Sequence, residues 1–110
     1  MSYFFKKEDM KLDVLSDKVS RSILAYDKNM MVVEVYMETG GIGTPHQHVH
    51  EQITYVLSGA FEFSVGDEKQ VVRQGDTIYM PSNILHGAVC LEKGVLLDIF
   101  TPHREDFIKE

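Results

Sequence analysis

Short apolar runs that alternate with polar residues, and that turn residues separate, make up most of the chain from Val19 onward. Residues 33–37 and 61–65 alternate with a period of two, which is typical of strands that bury one face. The pattern predicts strands over residues 21–26, 30–39, 52–57, 61–65, 69–73, 77–80, 85–91 and 95–100. Ser58 and Gly59 would end the third strand in a turn, and residues 92–94 would join the last two strands.

Nothing in this part of the chain has the 3.6-residue period of a long amphipathic helix, and only residues 104–109 favour a helical turn. Eight or more short strands with regular turns favour an all-β fold, an antiparallel barrel or jelly roll. With 110 residues, the chain forms one domain over residues 1–110. Residues 1–18 lack a clear pattern, so we expect an irregular N-terminal arm ahead of a barrel core at about residues 19–101.

Candidate chemistry is concentrated in three alternating histidines, His46, His48 and His50, and in a distant fourth, His86. Neutral imidazole is the commonest metal ligand in proteins. On a straight strand His46 and Gln52 would lie roughly 20 Å apart, whereas a metal–nitrogen bond is about 2 Å long. The chain must therefore reverse within residues 49–51 if both bind one ion. This geometry predicts a metal site of His46, His48, Gln52 and His86, with His50 in the turn.

The alternative is that each histidine acts alone, as a surface or core side chain. The His-x-His pair, the flanking glycines and the downstream run that contains Pro81, Asn83 and His86 favour the metal site. His103 has no such neighbours and is expected at the surface. Three imidazoles and an amide leave a divalent ion with its full charge, and the two-histidine, one-carboxylate arrangement of iron oxygenases is absent. Such a site favours an anionic ligand and Lewis-acid chemistry, and Zn, Ni, Mn and Fe all suit these ligands.

Two charged residues near the end of the chain have two interpretations each. Asp98 interrupts an apolar strand and shares a face with Leu96 and Phe100. That face is either wet or lines the barrel mouth, where Asp98 would act as an acid/base group. Arg104 would either clamp a substrate carboxylate or pair with a neighbouring acid on the surface.

Composition and charge exclude several classes. The net charge of −6 with no basic block argues against nucleic acid as a partner. No apolar run approaches the roughly 18 residues of a membrane span, and the N-terminus lacks the order of a secretory signal. The single cysteine, Cys90, fits a reducing cytoplasm and is expected to be buried and inert, in preference to a ligand or a nucleophile.

Two segments resemble the motifs of the cupin family. The first motif is matched at Gly40, His46, His48, Gln52 and Gly59, and the second at Gly75, Pro81, Asn83 and His86. The chain departs from the family pattern at Gln52, where many cupins have glutamate, at Asn83, where glycine is usual, and at Cys90, where asparagine is usual. The resemblance implies a small single-domain β-barrel with one metal ion inside, and it also implies a homodimer.

Residues 20–108 further resemble the pectin-degradation cupins of the KdgF type, through the run at 46–59 and the tail at 96–107. That resemblance implies opening of the ring of 4,5-unsaturated monouronates, from pectin or alginate, to the linear keto-sugar acid. The substrate would be a small anionic sugar acid. The matching positions imply catalytic roles for Asp98 and Arg104 and substrate binding by Arg104 and Phe100, beside the metal.

Two other functions are kept as alternatives. One is a metal-dependent oxygenase that acts on a small enol or aromatic compound; the missing carboxylate ligand argues against it. The other is a non-catalytic module that binds or senses a sugar acid. Asp98→Asn separates an enzyme from a binding module, because binding should survive in both and turnover should be lost only in the enzyme.

Overall fold

The computed structural model describes residues 3–108, and in these residues eight antiparallel strands form one strongly bent sheet. The strands are β1 (Leu12–Val14), β2 (Val19–Tyr26), β3 (Met31–Met37), β4 (Ile42–His46), β5 (Glu51–Val65), β6 (Glu68–Arg73), β7 (Thr77–Met80) and β8 (His86–Thr101). Two single-turn 3₁₀-helices, Lys7–Asp9 and Glu105–Phe107, lie near the two ends. The predicted all-β antiparallel barrel is confirmed.

The two longest strands, β5 and β8, organise the sheet. They pair with each other along almost their whole length. The other edge of β8 pairs with β4 near its start and with β3 near its end. The other edge of β5 pairs with β7 near its start and with β6 near its end. Each long strand therefore runs through both halves of the barrel, and the start of β8 faces the end of β4.

Two turns predicted from the sequence are wrong. Residues 52–57 and 61–65 belong to the single strand β5, and residues 85–91 and 95–100 belong mostly to β8, which runs through residues 92–94 without a turn. The register between the strands shifts around Ser58 and Ala60, as at a β-bulge. A Cβ on Gly94 would lie 2.1 Å from the carbonyl oxygen of Ser58. The glycines therefore allow two bent strands to approach closely, and do not reverse the chain.

The N-terminal arm is more regular than predicted. Residues 12–14 form β1, which pairs with β2 through Leu12 and Ser22, so the prediction of an irregular segment over 1–18 is wrong for this strand. The reason is local: β2 has a free edge, and a short strand covers it with backbone hydrogen bonds. At the other end, the predicted helical turn is present at residues 105–107; residue 109 lies outside the described residues.

Two clusters of buried side chains form the core. The larger contains Met37, Val56, Phe61, Phe63, Val72, Met80, Cys90 and Leu96. The smaller contains Met31, Val33 and Phe100. The predicted alternation along β3 is confirmed, because Val33 and Met37 are buried while Glu34 is partly exposed. No helix among residues 3–108 is long and apolar enough to cross a membrane.

Candidate functional site

Three histidines converge at the junction of β4 and β8. His46 ends β4 and is paired in register with His86, the first residue of β8. His48 follows β4 in the loop, and the three rings lie 4.5–5.4 Å apart between centroids. One ring nitrogen of each lies within 4.8 Å of the others. Small side-chain rotations would bring all three onto one ion at bond lengths of about 2 Å.

Each of these histidines is fixed in one tautomer by a backbone carbonyl group. The Nδ1 atoms of His46, His48 and His86 lie 2.8, 3.0 and 3.0 Å from the carbonyl oxygens of Thr44, His50 and Ile84. Because a carbonyl only accepts hydrogen bonds, each Nδ1 carries the hydrogen and each Nε2 keeps a free lone pair. The Nε2 of His86 is buried and has no hydrogen-bond partner among the described residues. This arrangement is typical of imidazoles that bind a metal.

Gln52 completes the group from the start of β5. Its side chain is buried, and its Oε1 lies 3.1 Å from the Nε2 of His48. With the tautomer above, both atoms are acceptors, so a cation at this point would relieve their mutual repulsion. An orphaned imidazole nitrogen, two further lone pairs and an amide oxygen thus fit a divalent ion with nitrogen and oxygen ligands.

Burial keeps these imidazoles neutral. It lowers the pKa of His86 to about 4, and the charges of the nearby histidines and of Arg104 act in the same direction. Burial also lowers the pKa of His48, with the positive charge of Arg104 as the second cause. Since only a neutral imidazole binds a metal, the ligands are ready to bind at neutral pH.

The loop that contains His48 is held by the bend after β7. The backbone N–H of Asn83 donates to the carbonyl oxygen of His48 at 2.7 Å, and the Ser82 hydroxyl donates to that of Val49 at 2.6 Å. Asn83 has a φ of 65°, the left-handed conformation that asparagine tolerates better than most residues. The reversal spans residues 47–50, slightly earlier than the predicted 49–51, because Glu51 already belongs to β5.

Asp98 lies on β8, opposite Thr54 of β5, with its side chain at the barrel interior. Thr54 Oγ1 donates to Asp98 Oδ1 at 2.7 Å. Burial raises the pKa of Asp98 to about 6, although hydrogen bonds from Thr54 and Gln52 and the charge of Arg104 act against that rise. A carboxyl group with a pKa in this range can both take and give a proton near neutral pH.

Arg104 follows β8 and is buried, with 9% of its surface exposed. Its Nε and Nη2 donate to the two carboxylate oxygens of Asp106 at 3.1 and 2.9 Å. Its guanidinium lies 5.2 Å from the ring centroid of Phe100 and 4.2 Å from that of Phe107. The pairing with an acid that the sequence left open is present, but inside the molecule and not on its surface.

A cavity of about 210 Å³ joins these groups. Its polar lining consists of Arg21, His46, Gln52, His86, Asp98 and Arg104, and its apolar wall includes Val35, Met37, Phe63, Leu96, Phe100 and Phe107. The ring of Phe100 also meets that of His48 edge-on, with 5.8 Å between centroids. The cavity thus places an acid, two cations and the histidine group around a space suited to a small anionic ligand.

Three lining or linking residues were missed by the sequence analysis. Thr54 follows Gln52 by two residues on a strand, so alternation alone placed both on one face and was a usable signal. Arg21 and Phe107 reach the cavity from β2 and from the last helix, and their guanidinium and ring lie 3.6 Å apart. Nothing local marks that contact, because the two residues are far apart in the sequence.

Three further candidates lie outside the histidine group. His50 is in the bend, as predicted, and its carbonyl fixes His48. Cys90 is buried, as predicted, and burial raises the pKa of its thiol, which favours an inert side chain. His103 is half-buried, so the expectation of a surface residue was only partly right; its ring stacks on Tyr26 at 6.3 Å.

Known proteins resemble this chain in sequence and in structure. The family model for the Cupin domain matches residues 33–100. The pectin degradation protein KdgF of Dickeya dadantii (strain 3937) is 39% identical over 110 residues, which cover 98% of this chain and 100% of that protein.

Two solved structures match over nearly the whole chain. KdgF from Halomonas sp. is 36% identical with a TM-score of 0.92, and the match covers 98% of this chain and 100% of that one. An RmlC-like cupin from Shewanella frigidimarina NCIMB 400 is 32% identical with a TM-score of 0.93, covering 98% and 97% of the two chains.

Proposed function

We propose that this chain, which belongs to the cupin family, is a metal-dependent enzyme that opens the ring of 4,5-unsaturated monouronates. The product would be the linear keto-sugar acid, as in the breakdown of pectin or alginate. The observation that carries the proposal is one cavity lined by a buried carboxyl, Asp98, a buried guanidinium, Arg104, and members of the histidine group. Similarity to KdgF over the full chain supports the same substrate class.

The residues that would hold the metal are His46, His48, His86 and Gln52. The free Nε2 lone pairs and the amide oxygen described above support this ligand set, and Zn, Ni, Mn and Fe all suit it. A bound divalent ion would supply a Lewis acid that polarises a carboxylate or hydroxyl oxygen of the sugar. Because all four ligands are neutral, the site keeps its positive charge and favours an anionic substrate.

Arg104 would bind the substrate carboxylate. Asp106 accepts from its Nε and Nη2, so the Nη1 and Nη2 end of the guanidinium is the part that would meet a second carboxylate. Packing of the guanidinium against Phe100 and Phe107 limits its motion, which reduces the entropy lost on binding. Phe100 would form the apolar wall against which the sugar ring lies.

Asp98 would move the proton. Its carboxylate would take the hydrogen of the C1 hydroxyl while the bond between C1 and the ring oxygen breaks, which leaves an aldehyde at C1 and an enolate at C5. The carboxyl group would then give that proton to C4, and the enolate becomes a ketone. Atoms and electrons balance without any oxidant or reductant. A pKa of about 6 suits a group that first accepts and then returns one proton.

Ring opening is tested by ultraviolet absorbance, because the product lacks the double bond conjugated to the carboxylate. Purified, metal-loaded protein should accelerate the loss of absorbance of an unsaturated monouronate. No acceleration with any of the four metals would refute the proposal for these substrates. Substrate binding without turnover, in both the wild type and Asp98→Asn, would instead indicate a binding or sensing module.

A further inference from the structure

The side-chain amide of Gln52 has a donor end and an acceptor end, and only the oxygen can bind a cation. The partner at the nitrogen end therefore decides which end faces the histidines. Gln52 Nε2 donates to Thr54 Oγ1 at 2.9 Å, and Thr54 Oγ1 donates to Asp98 Oδ1 at 2.7 Å. These two hydrogen bonds connect the proposed ligand to the proposed acid/base group.

The direction of this chain follows from the chemistry of its members. An ionised carboxylate only accepts hydrogen bonds, so the hydroxyl hydrogen of Thr54 must go to Asp98. The lone pairs of that oxygen then accept from the amide nitrogen of Gln52. As a result the amide oxygen faces the Nε2 of His48, 3.1 Å away.

The chain is also well shielded from water. Thr54 is fully buried and Gln52 has 6% of its surface exposed. Thr54 is paired with Asp98 across β5 and β8, and it lies two residues from Gln52 on the same strand and face. A buried amide that lost its partner at Thr54 would have no nearby water to replace it, so it would turn or shift.

We propose that Thr54 is a positioning residue that holds the carbonyl oxygen of Gln52 toward the metal centre and links this ligand to Asp98. The inference rests on the metal centre of the proposed function but not on the identity of its substrate. Residues that orient metal ligands typically affect metal affinity about 10- to 100-fold when they are replaced.

The test compares Zn²⁺ affinity of the full chain and its variants, by competition with a chromophoric chelator in mildly alkaline buffer. Thr54→Val keeps the shape but removes the hydroxyl, and its affinity should fall about 10- to 100-fold. Thr54→Ser restores the hydroxyl and should bind nearly as tightly as the wild type. Ser22→Ala is the matched control, since it removes another buried hydroxyl, which donates to the carbonyl of Lys11; its affinity should not change.

Three outcomes overturn the inference. Wild-type affinity in Thr54→Val would show that the hydroxyl does not position Gln52. An equal loss in Thr54→Ser would show that packing, not the hydroxyl, matters. Absence of Zn²⁺ binding by the wild type would refute the metal centre itself, whereas failure of uronate turnover with Zn²⁺ bound refutes only the substrate. If Thr54→Val does not fold, Thr54→Ser is compared with Thr54→Ala: tighter binding by the serine variant supports the inference and equal binding refutes it.

Discussion

Gln52 and His50 lie two residues apart, and the structure gives them different surroundings. Gln52 is buried with its oxygen beside His48, whereas His50 is in the bend and supports His48 through its backbone carbonyl. Because a side-chain substitution leaves that carbonyl in place, Gln52→Leu should weaken metal binding by at least tenfold, roughly the effect of losing a ligand-shell group. His50→Leu should weaken it much less. Equal losses in a chelator competition would contradict this division of roles.

Asp98 is the residue on which proton transfer depends. Asp98→Asn keeps the shape and removes the titratable group, so turnover should fall about 10²- to 10⁴-fold while bound metal is retained. Elemental analysis of the same sample checks the metal content. Undiminished turnover in a metal-loaded Asp98→Asn preparation would exclude this residue as the acid/base group.

The raised pKa of Asp98 also has a consequence for stability. In the folded, metal-free chain this carboxyl keeps its proton up to a pH of about 6, whereas the ordinary value is 3.8. Folding therefore takes up a proton between these two values, and raising the pH across that interval lowers the free energy of unfolding through this group. Denaturant unfolding should show Asp98→Asn gaining stability relative to the wild type as the pH rises from 3.8 to about 6. A constant difference would mean that Asp98 is not desolvated.

At the scale of the elements, β5 and β8 can bend past each other only because Gly59 and Gly94 lack side chains. Cβ atoms at these positions would lie 2.6 and 2.1 Å from backbone oxygens. Gly94→Ala should thus lower the free energy of unfolding by about 1–3 kcal/mol or more, the usual cost of overpacking. Gly43→Ala is the control, because its Cβ would meet nothing closer than 3.7 Å. Similar losses in both variants would show that close approach is not the reason for Gly94.

The sequence predicted the strands well because alternation is a local property, visible in β3 and at the end of β5. It predicted turns at residues 58–59 and 92–94 that the structure lacks, because a glycine for close approach and a glycine for reversal look alike in one sequence. The histidine group and Gln52 were found from parity and spacing. Arg21 and Phe107 were not, because their contact depends on how distant elements pack.

At the scale of the molecule, the homodimer that the resemblance implies stays a prediction. Apolar side chains on the surface, including those of Leu12, Val14 and Ile53, would suit a subunit interface. Sedimentation velocity at micromolar concentration should give twice the mass of the chain. A single species with the mass of one chain would contradict it.

The central claim joins metal and chemistry: one ion, held by His46, His48, Gln52 and His86, is required for ring opening. The most direct measurement removes all metal with a chelator and titrates one metal back while the loss of uronate absorbance is followed. The predicted result is no turnover in the stripped protein, a rise in proportion to metal added, and a plateau at one ion per chain. Full turnover by the stripped protein, or none at any metal content, would contradict the claim.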